Sequence, residues 1–469
     1  MSRIQSSGPE LSRGLSNRHI QMIGLGGAIG TGLFLGSAGV IKTAGPGLLI
    51  GYAFAGMIAF LIMRQLGEML VDEPVSGSLS HFARKYCGGF LGYLTGWNYI
   101  AAYVLVGMAE LTAIGKYIQF WWPEIPTWTT AAGFFLIVNC MNLLNVRVYG
   151  EVEFWFALVK VLAIIAMIGF GSWLLFGPIQ PMGASVTNLW SHGGFLPNGV
   201  GGLLMALPFI MFAFGGLEMI GFTAGEAKDP KKTIPRAINQ VLYRIGIFYI
   251  AALTILLALS PWDILVASLD QAGDPYSASP FVKILSLLGS DLAAHLLNLV
   301  VLTAAMSVYN GVVYCNTRLL FSMAEQNQAP KYLTKLNSNR IPVNALIATS
   351  LVTGLAVILN YFSPNGTMEV LMSLTVSATV INWLLTSYTH LKFRKAKAKA
   401  EGGEGVEYKS PFHPFSNYLC IAFIVGLLVI MAFIPAIRIA VWLIPLWLIL
   451  VYASYRKYQT GASSKVSYE

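Results

Sequence analysis

Ionisable side chains inside long apolar stretches are the first candidates for chemistry in this chain. Lys160 follows Glu153 by seven residues, so a helix rising about 1.5 Å per residue places it roughly 10 Å along an apolar segment. Charged groups at such depth in a membrane commonly carry protons or line solute pathways. We predict that Lys160 alternates between charged and neutral forms. The alternative is that its long stem reaches the membrane interface.

Three glutamates extend this set. Glu218 lies in a glycine-rich stretch, where its carboxyl could be kept neutral by burial and ionised by a nearby cation. Its predicted role is proton coupling or gating, with a static hydrogen bond that braces the helix as the alternative. Glu110 could bind a proton, but we favour a role in satisfying backbone groups between helices. Glu226, near Lys228, is expected either in a gating salt bridge or in solvent.

Two glycine-rich stretches, GLGGAIGTGLFLG from Gly24 and FAFGGLEMIG from Phe212, suggest interrupted helices. Glycine disfavours helix by about 1 kcal/mol per residue, and a membrane helix can unwind where its freed backbone faces a cavity. The freed N–H groups suit a carboxylate and the freed carbonyls an ammonium, so two breaks suit a zwitterionic amino acid. Close helix packing through Gly32 and Gly36 is the alternative.

The elements that position these groups are transmembrane helices. Of 469 residues, 56% are hydrophobic and 11% are charged, against about 25% charged in soluble domains. This composition excludes a soluble enzyme, a nucleic-acid binder and a disordered scaffold. A spanning helix needs about 20 apolar residues. Twelve such segments occur, at about 20–41, 46–67, 89–119, 128–146, 154–176, 200–222, 241–261, 291–323, 343–362, 370–391, 416–434 and 439–455.

The net charge of +9 is distributed unevenly between the two sides. With a cytoplasmic N-terminus, 25 Lys and Arg residues fall inside and four outside, as expected for cytoplasmic loops. We predict one integral domain over residues 20–457, with cytoplasmic tails at 1–19 and 458–469. The basic cluster from Lys392 to Lys399 is expected to meet anionic lipid headgroups and not nucleic acid. The six histidines lack metal-ligand spacing and are expected at interfaces or in solvent.

The glycine-rich stretches fall in the first and sixth segments, which are equivalent positions if a five-span unit is repeated with inverted topology. Further motifs accompany them: AGPG from Ala44, MRQLGEM from Met63, GWNY from Gly96, GEVEFWFALVKV from Gly150, FTAGEAKDP from Phe222, SVYNGVVYCNTRLLF from Ser307 and VINW from Val380. Together these motifs resemble the amino-acid permeases of the amino acid-polyamine-organocation superfamily, above all the bacterial aromatic and phenylalanine permeases. The resemblance extends from about Leu15 to Lys457.

This resemblance implies an all-α protein with about twelve transmembrane helices, an inverted five-plus-five repeat and two additional helices. It also implies proton-coupled import of an L-amino acid across the cytoplasmic membrane, with Lys160 matching a lysine linked to coupling. The carboxylate site of the family falls on Ala28, Ile29, Gly30, Thr31 and Gly32, and the amino-group site on Phe212, Ala213, Phe214 and Gly215. No metal or cofactor is implied, and the oligomeric state is not predicted.

The substrate is predicted to be aromatic: phenylalanine, tyrosine or tryptophan. Tyr103 and Phe214, near the breaks, are predicted to stack on its ring, which contributes about 0.5–1.5 kcal/mol beyond burial. The aromatic permeases carry tryptophan where this chain has Ile100 and commonly serine at Ala213, so histidine, proline or 4-aminobutyrate are alternatives. A membrane enzyme or a channel is an alternative of another class, without H-E-x-x-H, G-x-S-x-G or a charge ring to support it.

Overall fold

The computed structural model describes residue 22 and residues 29–75, 78–144, 146–178, 180–223, 229–270, 276, 278–363, 366–400 and 407–466. Every regular element within these ranges is helical. Nine helices in them are long and apolar enough to cross a membrane. One of these, Thr31–Asp72, contains two spans, because the short 3-10 helix Gly45–Gly47 separates its two parts. The shorter helices Thr127–Asn142 and Gly199–Ala213 complete the predicted set of twelve.

The spans are numbered in chain order. They are span 1, Thr31–Phe34 and Ser37–Ala44; span 2, Leu48–Asp72; span 3, Gly89–Gln119; span 4, Thr127–Asn142; span 5, Val146–Phe176; span 6, Gly199–Ala213 and Met219–Thr223; span 7, Pro230–Arg244, Ile245–Ala251 and Ala252–Leu259; span 8, Asp291–Glu325; span 9, Val343–Thr353 and Leu355–Phe362; span 10, Thr367–Ala400; span 11, Phe415–Phe433; and span 12, Arg438–Val466. Shorter connecting helices are Ser78–Cys87, Val186–Leu189, Trp262–Asp270, Pro280–Leu287 and Lys331–Thr334.

Span 6 is interrupted where its glycines predict. The first helix ends at Ala213, residues 214–218 form a turn, and the second helix begins at Met219. Gly216 has a φ of +95°, a conformation that L side chains rarely adopt and that glycine tolerates. The break is therefore encoded by the glycine pair, and it frees backbone groups in the middle of the bundle.

Span 1 is also interrupted. Gly30 is extended, with φ −138° and ψ −160°, and the following helix Thr31–Phe34 is only four residues long before a second helix begins at Ser37. Residues 23–28, including the predicted site residue Ala28, lie outside the described residues. The predicted fold, with broken first and sixth helices, is confirmed.

The two broken helices touch through their backbones. A Cβ atom built on Gly32 would lie 2.6 Å from the Cα atom of Ala213. A Cβ on Gly36 would lie 3.1 Å from the Met372 side chain of span 10. Close helix packing, considered from the sequence as the alternative to a break, therefore occurs together with the breaks, because glycine at position 32 permits both.

Spans 2 and 10 are joined by a buried charged cluster, here called the Glu68 clamp, formed by Glu68, His390, Arg394 and Ser410. The Arg394 Nε atom lies 2.5 Å from Glu68 Oε1, and His390 Nε2 lies 3.0 Å from Oε2. The backbone N–H of Ser410 donates to Oε2 at 2.6 Å. Glu68 and His390 are fully buried. The clamp fixes the ends of two spans to the segment that precedes span 11.

The expectation about His390 at this end of the bundle was wrong. His390 is neither at an interface nor in solvent, because it contacts Glu68 in the protein interior. Contact of the basic cluster from Lys392 to Lys399 with lipid headgroups stays a prediction for its exposed residues Lys392, Lys395 and Lys399. Its Arg394 is held by Glu68, and Lys397 lies 2.8 Å from Asp72 of span 2. The sequence showed the charges on both spans but not that they meet.

Candidate functional site

A cavity of about 30 Å³ lies where the two broken helices meet. It is lined by spans 1, 3, 6, 8 and 10, through Gly30, Gly32, Val106, Glu110, Met211, Phe212, Ala213, Gly215, Val308, Thr375, Val376, Thr379 and Val380. Five predicted substrate-binding positions are in this lining, together with Glu110. The volume is about that of one water molecule, so an amino acid can be accommodated only if the spans move apart.

Glu110 connects span 3 to the broken part of span 1. The Thr31 hydroxyl donates to its Oε2 atom at 2.5 Å, and both side chains are buried. The other carboxyl oxygen would lie 3.3 Å from a Cβ atom on Gly30. Glu110 therefore faces the predicted carboxylate site directly.

Lys160 reaches the same break from span 5. Its side chain is fully buried, and Nζ donates to the Ile29 carbonyl at 3.1 Å and to the Ser307 hydroxyl at 2.9 Å. The long stem is therefore directed into the bundle and not to the membrane interface, which decides between the two orientations considered from the sequence. An ammonium donates up to three hydrogen bonds and accepts none, so a backbone carbonyl released by the broken helix suits it.

Sequence reasoning missed how this link continues. The Ser307 hydroxyl of span 8 donates to Glu153 Oε1 at 2.5 Å, so Lys160 and Glu153 are joined through one serine. Both carboxyl and ammonium are buried. The available signal was the spacing: residues seven apart lie on one face of a helix, and that face carries both charges.

Glu218 and Tyr103 lie beside the cavity and do not line it. Glu218 belongs to the turn of span 6, with its carboxyl buried and its backbone carbonyl accepting from the Gly221 N–H at 2.8 Å. The Tyr103 ring packs against Tyr99 and Phe222, with centroids 5.9 and 5.6 Å away. Both groups are thus placed next to the second helix of span 6, which follows the break.

Phe214 contributes its backbone to the break, but its ring points elsewhere. The ring is fully buried against Tyr52 and Tyr249, with centroids 6.0 and 5.0 Å away. Phe212, by contrast, lines the cavity. The Tyr249 hydroxyl donates to the Ala213 carbonyl at 2.7 Å, which holds the last turn before the break. Glu226 lies in residues 224–228, outside the described residues.

Freed backbone, buried ionisable groups and a small cavity meet inside a twelve-span bundle. This combination defines a carrier for a small polar solute, because half-helix ends can bind the solute while the spans around them move.

Comparison with known proteins specifies the family. The model of the family described as amino acid permease matches residues 19–461. The aromatic amino acid transport protein AroP of Salmonella typhimurium is 56% identical over 453 residues, and that of Escherichia coli is 55% identical over 451, each covering 96% of both chains. An uncharacterised amino acid permease of Bacillus subtilis, YtnA, is 41% identical over 454 residues, again 96% of both. This chain belongs to the amino acid permease family. It is a multi-pass membrane transporter of amino acids and not an enzyme.

Proposed function

We propose that this permease imports aromatic amino acids (phenylalanine, tyrosine and tryptophan) together with protons across the cytoplasmic membrane. The observation that carries the proposal is the bond from Lys160 to the Ile29 carbonyl, at the edge of a cavity that both helix breaks enclose. The aromatic substrate class is supported by the two relatives named as aromatic amino acid transport proteins.

Substrate recognition divides between backbone and side chains. The N–H groups around Gly30 and Gly32 receive the carboxylate, and carbonyls of the turn after Phe212 receive the ammonium. Much of the remaining lining is apolar, including Val106, Val308 and Val376. Such a wall favours a ring over a polar side chain. Phe212 and Tyr103 supply aromatic faces for the ring once the spans separate.

Proton coupling acts through the hydrogen bonds that Lys160 makes next to the break of span 1. Charged Lys160 makes charge-assisted hydrogen bonds to the Ile29 carbonyl and to Ser307, which are stronger than bonds between neutral groups. Loss of the proton weakens these hydrogen bonds and allows the backbone at the break to move. Glu153 receives the proton through Ser307, and Glu110 changes charge on the other side of the same backbone. Glu218 and Glu226 act in gating.

The same proposal covers the topology. Residues 20–457 form one permease domain between cytoplasmic tails at 1–19 and 458–469, and the helix of span 12 continues to Val466. The proposed orientation directs the Glu68 clamp and the basic cluster to the cytoplasm, as the distribution of Lys and Arg favours.

Competition for uptake tests the substrate class. Proteoliposomes that contain the purified protein are given labelled phenylalanine. Unlabelled tryptophan, tyrosine, histidine, proline or 4-aminobutyrate is added in about tenfold excess, which is enough to distinguish competitors whose affinities differ by an order of magnitude. We expect tryptophan and tyrosine to inhibit as strongly as phenylalanine. Stronger inhibition by histidine or proline than by any aromatic residue would overturn the aromatic assignment and leave the transporter class intact.

A further inference from the structure

A second cavity, of about 600 Å³, lies on the other face of spans 3 and 10. Its walls are formed by spans 3, 8, 9, 10 and 12 and by the connection that contains the helix Lys331–Thr334. On span 3, Val106 and Glu110 line the substrate cavity, whereas Val104 and Met108 line this one. Its volume is within the range of about 300–1,000 Å³ typical of ligand sites. It is therefore large enough for a molecule much bigger than water.

Polar groups along its walls are already hydrogen-bonded within the protein. Asn98 donates to the Ala378 carbonyl at 2.8 Å and accepts from the Trp447 indole N–H at 3.0 Å. The hydroxyls of Thr349 and Ser377 donate to carbonyls in the preceding turns of their own helices, at 3.1 and 2.9 Å. Because these groups already have hydrogen-bond partners, the cavity offers an apolar surface. It therefore suits a hydrocarbon and not an amino acid.

The cavity opens sideways, between spans 9 and 12. Val352 of span 9 and Leu443 of span 12 line it and are still 48% and 39% exposed. Both residues belong to apolar spans, so their exposed surfaces face the interior of the bilayer. Acyl chains are the apolar groups present in bulk at such an opening.

Two lysines lie in the connection that forms one end of the cavity. Pro330, Tyr332 and Leu333 line this end, and Tyr332 is 64% exposed. Lys331 and Lys335 belong to the same connection and are exposed, on the side proposed to be cytoplasmic. Clusters of lysine at that surface attract anionic lipid headgroups. We propose that the cavity binds one acyl chain of an anionic phospholipid whose headgroup lies at Lys331 and Lys335.

Binding at this position affects the substrate site through shared walls. Spans 3 and 10 have the acyl chain on one face and the substrate cavity on the other. A chain in the larger cavity supports the two spans where they would otherwise collapse toward spans 9 and 12. The lipid is thus a structural ligand of the carrier, separate from its substrate.

Native mass spectrometry of the purified permease tests the proposal. The protein in detergent is mixed with equal amounts of phosphatidylglycerol and phosphatidylcholine, and the retained lipids are counted and identified. We expect the unmodified protein to retain one phosphatidylglycerol per chain. The variant Ala348→Phe, which fills the cavity from span 9, should lose it. The variant Ala163→Phe is the matched control, because Ala163 is also a partly buried membrane alanine but lies in span 5, outside the cavity.

A further variant separates the contribution of the lipid headgroup charge from that of the acyl chain. Lys331→Gln combined with Lys335→Gln should still retain one phospholipid but with the preference for phosphatidylglycerol lost. If Ala348→Phe does not give a monodisperse protein, Ala101→Phe fills the cavity from span 3 instead. The proposal is overturned if the unmodified protein retains no phospholipid, or if the filling variants retain as much as Ala163→Phe. It is equally overturned if Ala348→Phe dissociates a dimer without changing the lipid count, because the occupant is then a second copy of this chain.

Discussion

Two buried carboxylates, Glu68 and Glu110, lie in contrasting surroundings. Glu68 has the Arg394 Nε atom at 2.5 Å, His390 at 3.0 Å and a backbone N–H at 2.6 Å. Glu110 accepts from the hydroxyl of Thr31, at 2.5 Å. The first is embedded among basic groups, and the second is bonded to a neutral group at a helix break.

We interpret Glu68 as a structural group, and we propose that Glu110 takes part in proton coupling. The Glu68 carboxyl lies against an arginine and a histidine, so removal of either partner would leave a buried polar group without its contact. A carboxyl bonded to a hydroxyl can gain or lose a proton with a smaller rearrangement. The same holds for Lys160, whose ammonium is bonded to a carbonyl and a hydroxyl. The clamp therefore joins spans 2 and 10, whereas the protonation changes that we propose occur at Glu110 and Lys160.

Arg394→Met should cause the largest loss of stability, because it leaves Glu68 buried without its arginine. Removing one partner of a buried pair costs about 3–5 kcal/mol. We expect a clearly lower midpoint of thermal unfolding in detergent. Lys395→Met is the control, since Lys395 is exposed on the same helix. Equal midpoints for the two variants would show that the clamp does not stabilise the fold.

Gly32→Ala should come next, and it affects the site. The added Cβ would lie 2.6 Å from the Ala213 Cα, so the backbone of one broken helix must shift. Overpacking of this kind costs about 1–3 kcal/mol, and uptake should fall about tenfold or more. Gly169→Ala of span 5 is the matched control, because a Cβ there meets nothing within 4 Å. Uptake by Gly32→Ala at the level of Gly169→Ala would contradict the contact between spans 1 and 6.

Thr31→Val removes the hydroxyl that bonds Glu110 and should have a smaller effect. The loss of one hydrogen bond is worth about 1 kcal/mol, so uptake of phenylalanine should fall several-fold. The pH dependence of uptake should shift as well, because Glu110 loses a partner. Thr31→Ser keeps the hydroxyl and should restore both properties. A pH profile for Thr31→Val that matches that of the unmodified protein would show that Glu110 takes no part in proton coupling.

The smallest effect is expected at Glu73, which lies just after span 2. Burial raises the pKa of Glu73, but hydrogen bonds from Lys85 and His81 outweigh it and leave the pKa below its ordinary value of 4.5. A lowered folded-state pKa stabilises the fold above about 4.5, and this contribution is lost as the pH falls through the lower folded value. Exposed pairs contribute at most about 1 kcal/mol. Glu73→Gln should therefore show a slightly lower unfolding midpoint at neutral pH and no difference in strong acid.

The fold was predictable because its signals are local. Apolar segments define the spans, and the glycines of FAFGGLEMIG define a break that the structure has at residues 214–218. The packing alternative at Gly32 was predictable too, since small residues permit close approach.

Side-chain directions were not predictable. The stem of Lys160 is long enough to reach either the interface or the Ile29 carbonyl, and only the position of span 1 decides between them. Phe214 is adjacent in sequence to cavity residues, but its ring packs against Tyr52 and Tyr249 because the turn of span 6 directs it there. His390 and Glu68 are far apart in the chain, so no local pattern shows their contact.

The most direct test of proton coupling through Lys160 compares uphill uptake with exchange. Proteoliposomes with an alkaline interior receive labelled phenylalanine, and a parallel set is preloaded with unlabelled phenylalanine without a pH gradient. The unmodified protein should accumulate label in both. Lys160→Met should lose accumulation driven by the gradient and retain exchange. Gradient-driven accumulation by Lys160→Met with unchanged pH dependence would contradict the account.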